Sequence, residues 1–131
     1  MIAATSAWIE LLRGTGSRAH LRLREALRRG QPVWMPDLVY QELLQGARHP
    51  AEFIRLDTVL DQAERWAPAD GRETARYAAM LYARCRWQGL TVRSTADCFV
   101  AACALEAGVP LLHADRDFEH IAAIEPRLTF A

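Results

Sequence analysis

Residues 91–118 read TVRSTADCFVAACALEAGVPLLHADRDF, and in this stretch a helix, a turn and a strand follow each other closely. The pattern predicts a polar loop and then a helix of small residues that opens with Asp97. The Gly-Val-Pro turn at 108–110 leads into a short apolar strand that ends in Asp115, and Asp117 follows two residues later. Because a chain reversal brings the two element ends together, we expect the carboxylates of Asp97 and Asp115 to lie close to each other.

The rest of the chain predicts short strands that alternate with helices. Residues 2–4 predict a very short apolar strand, and Ser6 is the expected N-cap of the helix that follows. Residues 32–36 predict a buried strand between prolines, with Asp37 as the cap of the next helix. A terminal strand is expected at 128–130. This alternation predicts an α/β fold with a short, mostly parallel sheet, and a length of 131 residues predicts one domain.

Acidic side chains fall where such a fold forms its binding crevice. In parallel sheets the ligand crevice lies beyond the carboxyl ends of the strands, and Asp37 and Asp115 both follow predicted strands. Asp97 lies in the first turn of a helix near the same edge. Glu42 interrupts an apolar helical pattern one turn after Leu38, so it is a candidate to point inward. A position for Glu42 at the boundary between core and solvent is the alternative.

The residue types indicate the chemistry of this crevice. Clustered Asp and Glu without His or Cys partners select hard cations, which predicts Mg²⁺ or Mn²⁺. Carboxylates that converge without a cation repel each other strongly. A bound metal ion holds a phosphate and lowers the pKa of an attacking water, so the predicted reaction is phosphodiester hydrolysis. Four hydroxyl side chains could bind metal-bound water or phosphate oxygens, or could serve as helix caps: Thr5, Ser6, Ser94 and Thr95.

Composition narrows the classes of function. The formal net charge is zero, which disfavours a broad basic surface but allows a local one. All 16 basic residues are Arg, and several lie in the helix predicted at 17–29, where a path for a phosphate backbone and a solvated face paired with Glu25 are both open. Three cysteines without a CxxC pair predict buried thiols in a reducing compartment. No signal peptide or membrane span is expected, so the expected location is cytoplasmic.

These residues carry a resemblance to a known family. The matching stretches are MIAATSAWIELLRG at 1–14, residues 36–46 around Glu42, and RSTADCFVAACALEAGVPLLHADRDFEHIA at 93–122. They resemble PIN-domain proteins, and specifically the VapC toxins of bacterial toxin–antitoxin modules. The resemblance covers nearly the whole chain, and it implies a single PIN domain over 1–131 with a three-layer α/β/α arrangement.

The resemblance also implies roles for individual residues. Thr5 and Ser6 match the polar pair that follows the first acid of the family. The acids that match the catalytic set are Glu42, Asp97, Asp115 and Asp117, of which the first three are the implied metal ligands and the last is auxiliary.

The activity implied by the resemblance is Mg²⁺- or Mn²⁺-dependent endoribonuclease cleavage of structured RNA such as tRNA or rRNA. The implied partners are a VapB-type antitoxin, which wraps the toxin and blocks its site, and a second copy in a homodimer. Exposed Trp8, Trp34 or Trp87 could form an apolar groove for an antitoxin segment, while core packing is expected for at least two of them. A partner Arg that reaches the carboxylates would replace the charge of the metal.

One position departs from the family pattern. The family opens with apolar residues followed by Asp-Thr-Ser, whereas this chain has Ala4 before Thr5 and Ser6. A methyl group cannot bind a metal ion, so we expect weaker metal binding and little or no cleavage by this chain. Two origins are open: an introduced substitution that inactivates a harmful enzyme, and a naturally degenerate PIN domain.

Three other interpretations compete with an active nuclease. Ala4 favours a non-catalytic PIN module that binds RNA or protein. The Asp115-Arg116-Asp117 sequence suggests a Mg²⁺-dependent phosphatase or phosphotransferase of another α/β fold, although such an enzyme would place this motif after its first strand. A structural interaction protein could use the acids as helix caps, but this interpretation does not explain Glu42.

Overall fold

A computed structural model describes all residues from Met1 to Ala131. Its sheet has four strands, and seven helices surround it. The strands are β1 (Ile2–Ala3), β2 (Trp34–Pro36), β3 (Glu64–Trp66) and β4 (Leu111–Leu112). The helices are α1 (Thr5–Arg13), α2 (Arg18–Arg28), α3 (Asp37–Leu44), α4 (Pro50–Leu60), α5 (Gly71–Trp87), α6 (Thr95–Ala107) and α7 (Asp117–Ile124).

The sheet runs in the order β3-β2-β1-β4, and every strand pair is parallel. Because β1 lies between β2 and β4, the carboxyl ends of these three strands share one edge of the sheet. The predicted α/β fold with a parallel sheet is therefore confirmed. The terminal strand expected at 128–130 is reduced to one bridge, in which Phe130 pairs with Leu111.

The helices form two groups, as a three-layer arrangement requires. Helix α1 packs on α2 and α3, and α3 packs on α4, whereas α5, α6 and α7 pack on one another. Helix α6 is apolar on nearly all sides, and its small residues Cys98 and Val100–Ala104 are buried. None of the helices combines the length and the apolar character needed to cross a bilayer.

The tryptophans divide between core and surface. Trp8 is fully buried, Trp34 is half-buried against the core, and 68% of Trp87 is exposed. The expectation that at least two of the three would pack in the core is confirmed. Trp8 is therefore excluded from any groove on the surface of the folded chain.

Two predicted helix caps are wrong. Ala4 occupies the N-cap position of α1 in extended geometry, and Ser6 lies inside the helix, where its Oγ accepts from the backbone N–H of Ala114. Pro36 occupies the N-cap position of α3, while the exposed Asp37 forms a bidentate ion pair with Arg65. In both cases a contact distant in sequence uses the polar side chain, which local pattern cannot reveal.

Two other helices have side-chain caps. The Ser17 side chain caps α2 by accepting from the N–H of His20, and Asp70 caps α5 by accepting from two backbone N–H groups. Glu25 pairs with Arg28 and Arg29 on the surface of α2, as the solvated-face interpretation expects. Strand β4 ends at Leu112, earlier than predicted, so Asp115 stands in the loop that follows it.

A buried carboxylate fixes the C-terminal segment to the second group of helices. Glu125 is only 6% exposed, and it accepts from the hydroxyl of Tyr77 and from the guanidinium of Arg127. The hydrogen bonds from Arg127 and Tyr77 lower the pKa of Glu125 to about 2, although burial opposes this shift. Arg84 reaches the same corner and donates to the carbonyl of Ile124.

This cluster predicts a pH dependence of stability. Since the pKa of Glu125 is depressed from 4.5 to about 2, its contribution is complete above pH 4.5 and is lost as the pH falls through about 2. The variant Glu125→Gln should lose on the order of 2 kcal/mol of unfolding free energy near neutral pH. This loss is smaller than the full pKa shift implies, because water screens the exposed Arg127. Its difference from the parent should shrink below pH 4.

Chemical denaturation of both proteins across this range measures the effect. The matched control is Glu119→Gln, an exposed acid on α7, the helix that Glu125 directly follows, and it should leave the pH profile unchanged. An unchanged profile in Glu125→Gln would contradict the assignment.

Candidate metal centre

Three carboxylates meet at the carboxyl edge of the sheet. One oxygen from each of Asp97, Asp115 and Asp117 lies within 4.8 Å of the others. Asp97 comes from the first turn of α6, Asp115 from the loop after β4, and Asp117 from the first residue of α7. The structure therefore brings together the three aspartates of residues 91–118, as the sequence predicts, while their function as metal ligands stays a prediction.

Asp97 is the carboxylate whose hydrogen bonding is incomplete. Its Oδ2 is buried and has no hydrogen-bond partner. Burial raises the pKa of Asp97 to about 7, and the negative charges of Asp115, Asp117 and Glu42 add to the shift. An acid in this state is stabilised either by a proton or by a cation.

Asp115 and Asp117 are linked through the backbone. The N–H of Asp117 donates to Asp115 Oδ1 at 3.0 Å, and the N–H of Asp115 donates to Nδ1 of His113 at 3.2 Å. The His113 ring in turn packs against Phe118 and Phe130. The loop between β4 and α7 is therefore held in a defined shape, with both carboxylates on the cluster.

Arg93 is the residue that the sequence interpretation missed. Its backbone N–H and Nε donate to Asp117 Oδ2 at 2.9 and 3.2 Å, and its Nη2 donates to Asp115 Oδ1 at 3.0 Å. Although burial raises the pKa of Asp117, these bonds from Arg93 lower it below its ordinary value. The only signal in the sequence was an Arg four residues before Asp97, in a loop that has no periodicity.

Glu42 lies beside the cluster, outside the group of three. It is half-buried on α3, and its Oε1 accepts from Thr5 Oγ1 at 2.9 Å. It is near enough to contribute to the raised pKa of Asp97. The inward direction that the sequence suggested is thus compatible with the structure, and a role as metal ligand stays a prediction.

The hydroxyl residues have separate positions. Thr5 holds Glu42, and Ser6 accepts from the N–H of Ala114 at 3.0 Å, which ties α1 to the loop that carries Asp115. Ser94 occupies the N-cap position of α6 without a side-chain cap bond, and Thr95 is the exposed first residue of that helix. Thr5 therefore contacts an acid directly, whereas Ser6 supports Asp115 through the backbone of Ala114.

Ala4 lies at the carboxyl end of β1, next to the end of β4. It follows β1, its N–H donates to the carbonyl of Leu112 at 2.9 Å, and only 1% of it is exposed. Its neighbours Thr5 and Ser6 contact Glu42 on one side and the loop of Asp115 on the other. A carboxylate at position 4 would therefore be buried between Glu42 and the loop that carries Asp115.

The donor set fits a divalent hard cation. All donors in the group are carboxylate oxygens, and the group contains no thiol or imidazole. Such a set of donors suits Mg²⁺ or Mn²⁺. The buried and unpartnered Oδ2 of Asp97 is the position where such an ion would relieve the largest electrostatic cost.

Comparisons with known proteins give a consistent result. A sequence profile of the PIN domain matches residues 2–124. The chain is 36% identical over 121 residues to the VapC ribonuclease Mb1587 of Mycobacterium bovis and to ribonuclease VapC11 of Mycobacterium tuberculosis. Each alignment spans 92% of this chain and 90% of the relative.

The fold also has a solved counterpart. The chain is similar to one in a crystal structure of VapBC2 from Rickettsia felis bound to a DNA fragment from their promoter. The TM-score is 0.75, with 99% of this chain and 96% of that chain covered. At 16% identity this likeness concerns the fold alone.

The raised pKa of Asp97 predicts that this residue destabilises the metal-free protein. The cost of ionising Asp97 is absent below its ordinary pKa of 3.8 and is complete above about 7. In EDTA at about pH 8, Asp97→Asn should therefore gain on the order of 2 kcal/mol of unfolding free energy over the parent, and the gain should vanish near pH 4.

Denaturant unfolding at several pH values measures this gain. Glu64→Gln, a substitution of an exposed acid on β3, is the control and should show no such pH-dependent gain. A variant Asp97→Asn that is no more stable than the parent at about pH 8 would refute the electrostatic account of Asp97.

Proposed function

This chain belongs to the VapC group of the PIN-domain family, and we propose that it is the toxin of a toxin–antitoxin module. The activity that we propose for the complete site is divalent-metal-dependent endoribonuclease cleavage. This copy is impaired because Ala4 stands where the resemblance expects an acid.

One observation carries the proposal. Asp97, Asp115 and Asp117 gather within 4.8 Å, and Asp97 Oδ2 is buried without a partner. A purely structural role does not account for this arrangement, because like charges repel and an unpaired buried oxygen is costly. A cation that visits the site accounts for both features, and the relatives named as ribonucleases support RNA as the substrate.

Each acid has a distinct role in the proposal. Asp97 and Asp115 would hold the cation, and Glu42 would contribute a third carboxylate from α3. When bound there, a divalent cation would lower the pKa of a water molecule and offset negative charge on the phosphate. Asp117 orients the site, because its N–H fixes Asp115 and its buried carboxylate fixes Arg93.

Substrate binding is assigned to the arginines at the edge of the cluster. Arg93 has 62% of its side chain exposed, and Arg116 is exposed between Asp115 and Asp117. One guanidinium group can donate two parallel hydrogen bonds to one phosphate. These residues therefore suit the flanking phosphates of an RNA strand. This basic edge is local, which agrees with a formal net charge of zero.

The assembly belongs to the proposal as well. We propose that a VapB-type antitoxin binds this chain, that the chain forms a homodimer, and that it acts in the cytoplasm. The VapBC2 complex to which the fold is similar supports the antitoxin partner. Exposed Trp87 is available for a partner, whereas Trp8 is not.

A second function keeps specific support. Ala4 removes an expected ligand, so a non-catalytic PIN module that binds RNA or protein has the same fold and most of the same acids. The phosphatase alternative required another α/β fold, and the PIN profile over residues 2–124 contradicts it.

Restoring the acid should separate these functions. Loss of a residue that only hydrogen-bonds to a metal ligand costs about 10–100-fold in metal affinity or activity, and loss of a ligand should cost at least as much. The variant Ala4→Asp should therefore cleave RNA in Mg²⁺ or Mn²⁺ at least about a hundredfold faster than the parent. Ala4→Asn is the matched control, because it has nearly the same size but no charge. Cleavage of total RNA, followed by sequencing of the ends, is the measurement.

The outcome also depends on Asp97. Adding Asp97→Asn to Ala4→Asp should return cleavage to the level of the parent. Equal activity in Ala4→Asp and Ala4→Asn would sink the assignment of position 4, and would favour the non-catalytic module.

Stability gives an independent prediction for position 4. Because Ala4 is only 1% exposed, Ala4→Asp places a buried charge beside other carboxylates. Without metal its Tm should fall by roughly 5 °C or more, as a loss above about 1 kcal/mol implies for a domain of this size. Mn²⁺ should raise the Tm of Ala4→Asp more than that of Ala4→Asn.

Thermal unfolding with EDTA and with Mn²⁺ checks this difference. An equal response of the two variants to Mn²⁺ would show that the new carboxylate does not bind the ion.

A further inference from the structure

Arg93 places a positive charge of this same chain on the acidic cluster. Its guanidinium contacts two of the three acids, through Nε on Asp117 and Nη2 on Asp115. It does not contact Asp97, which keeps an oxygen without a partner. A positive charge therefore neutralises Asp115 and Asp117, whereas Asp97 has no such partner.

The contacts of Arg93 fall into a fixed part and a part that can be released. The backbone N–H of Arg93 bonds to Asp117, whose side chain is only 3% exposed. The bond from Nη2 goes to Asp115, whose side chain is 29% exposed, and the Arg93 side chain itself is 62% exposed. The guanidinium can leave Asp115 by side-chain rotation while the backbone bond to Asp117 keeps the loop in place.

The oxygens of the cluster show why this movement matters. Asp115 Oδ1 accepts both Arg93 Nη2 and the N–H of Asp117, each at 3.0 Å. Asp117 Oδ2 accepts two donors of Arg93. A divalent cation bound to Asp97 and Asp115 would therefore meet the guanidinium at hydrogen-bonding distance from one of its own ligands, which is unfavourable for two like charges.

We propose that Arg93 is a tethered counter-cation that competes with the divalent metal ion: it neutralises Asp115 and Asp117 in the metal-free protein and leaves Asp115 when the ion binds. The inference rests on the proposed metal-dependent function. It assigns to a side chain of the toxin itself the charge compensation that a bound partner would otherwise supply. Once released, the guanidinium remains beside the site, where an RNA phosphate is its natural acceptor.

Titration of the full-length chain with Mn²⁺ by calorimetry tests the proposal. Arg93→Gln should bind Mn²⁺ about tenfold more tightly than the parent, because no guanidinium has to be displaced. In EDTA the same variant should have a lower Tm than the parent, because two carboxylates lose their cation. Arg116→Gln is the matched control, since it removes an equal charge from between the same two acids without breaking an ion pair.

Arg93→Lys is the second variant, and it keeps a charge without the forked geometry of the guanidinium. Its affinity for Mn²⁺ should lie between those of the parent and Arg93→Gln. Tight binding by Arg93→Gln with an unchanged Arg116→Gln supports the proposal. An affinity of Arg93→Gln and Arg93→Lys equal to or weaker than that of the parent overturns it, and so does an equal gain in Arg116→Gln.

The failure of the proposed function has a different signature. If neither the parent nor any variant binds Mn²⁺, including Ala4→Asp, then the metal site itself is wrong and the competition falls with it. If the parent binds Mn²⁺ and loss of Arg93 does not tighten binding, only the role of Arg93 is wrong.

Discussion

Repulsion among Asp97, Asp115 and Asp117 is the constraint on which the site depends. At a separation near 4.8 Å, two unit charges repel by about 3 kcal/mol at an effective dielectric constant of about 20. The metal-free fold tolerates the cluster in two ways: Arg93 supplies a positive charge to two of the acids, and the raised pKa of Asp97 lets it keep a proton up to about pH 7. Neither device satisfies the buried Oδ2 of Asp97. The electrostatics therefore leave a place for an external cation.

The fold accounts for the gathering of these acids. A parallel sheet with β1 between β2 and β4 directs the carboxyl ends of three strands to one edge, where Ala4 and the loop after Leu112 stand side by side. Helix α6 brings Asp97 to the same edge, because its small buried residues let it pack closely. Ser6 and Thr5 then connect α1 to the loop of Asp115 and to Glu42. The stable core thus positions acids that would not associate by themselves.

Sequence pattern predicted the alternating α/β order, the parallel sheet and the meeting of Asp97 with Asp115, because element ends and acid positions are local features. It failed for Ser6 and Asp37, whose polar atoms bind the N–H of Ala114 and the side chain of Arg65 far along the chain. It also missed Arg93, because an exposed Arg in a polar loop looks like any solvated charge until its partners are known. Glu42 is intermediate: its apolar surroundings indicated its direction, but the pairing with Thr5 required the structure.

The central claim is that position 4 and the three aspartates of residues 91–118 form one cation site, which this chain holds in incomplete form. Anomalous X-ray scattering from crystals of the Ala4→Asp variant grown with Mn²⁺ tests that claim most directly. The account predicts an anomalous peak in contact with the carboxylates of Asp97, Asp115 and the residue introduced at position 4, with the guanidinium of Arg93 turned away from Asp115. A peak elsewhere, or a carboxylate at position 4 that binds no ion at saturating Mn²⁺, would contradict it.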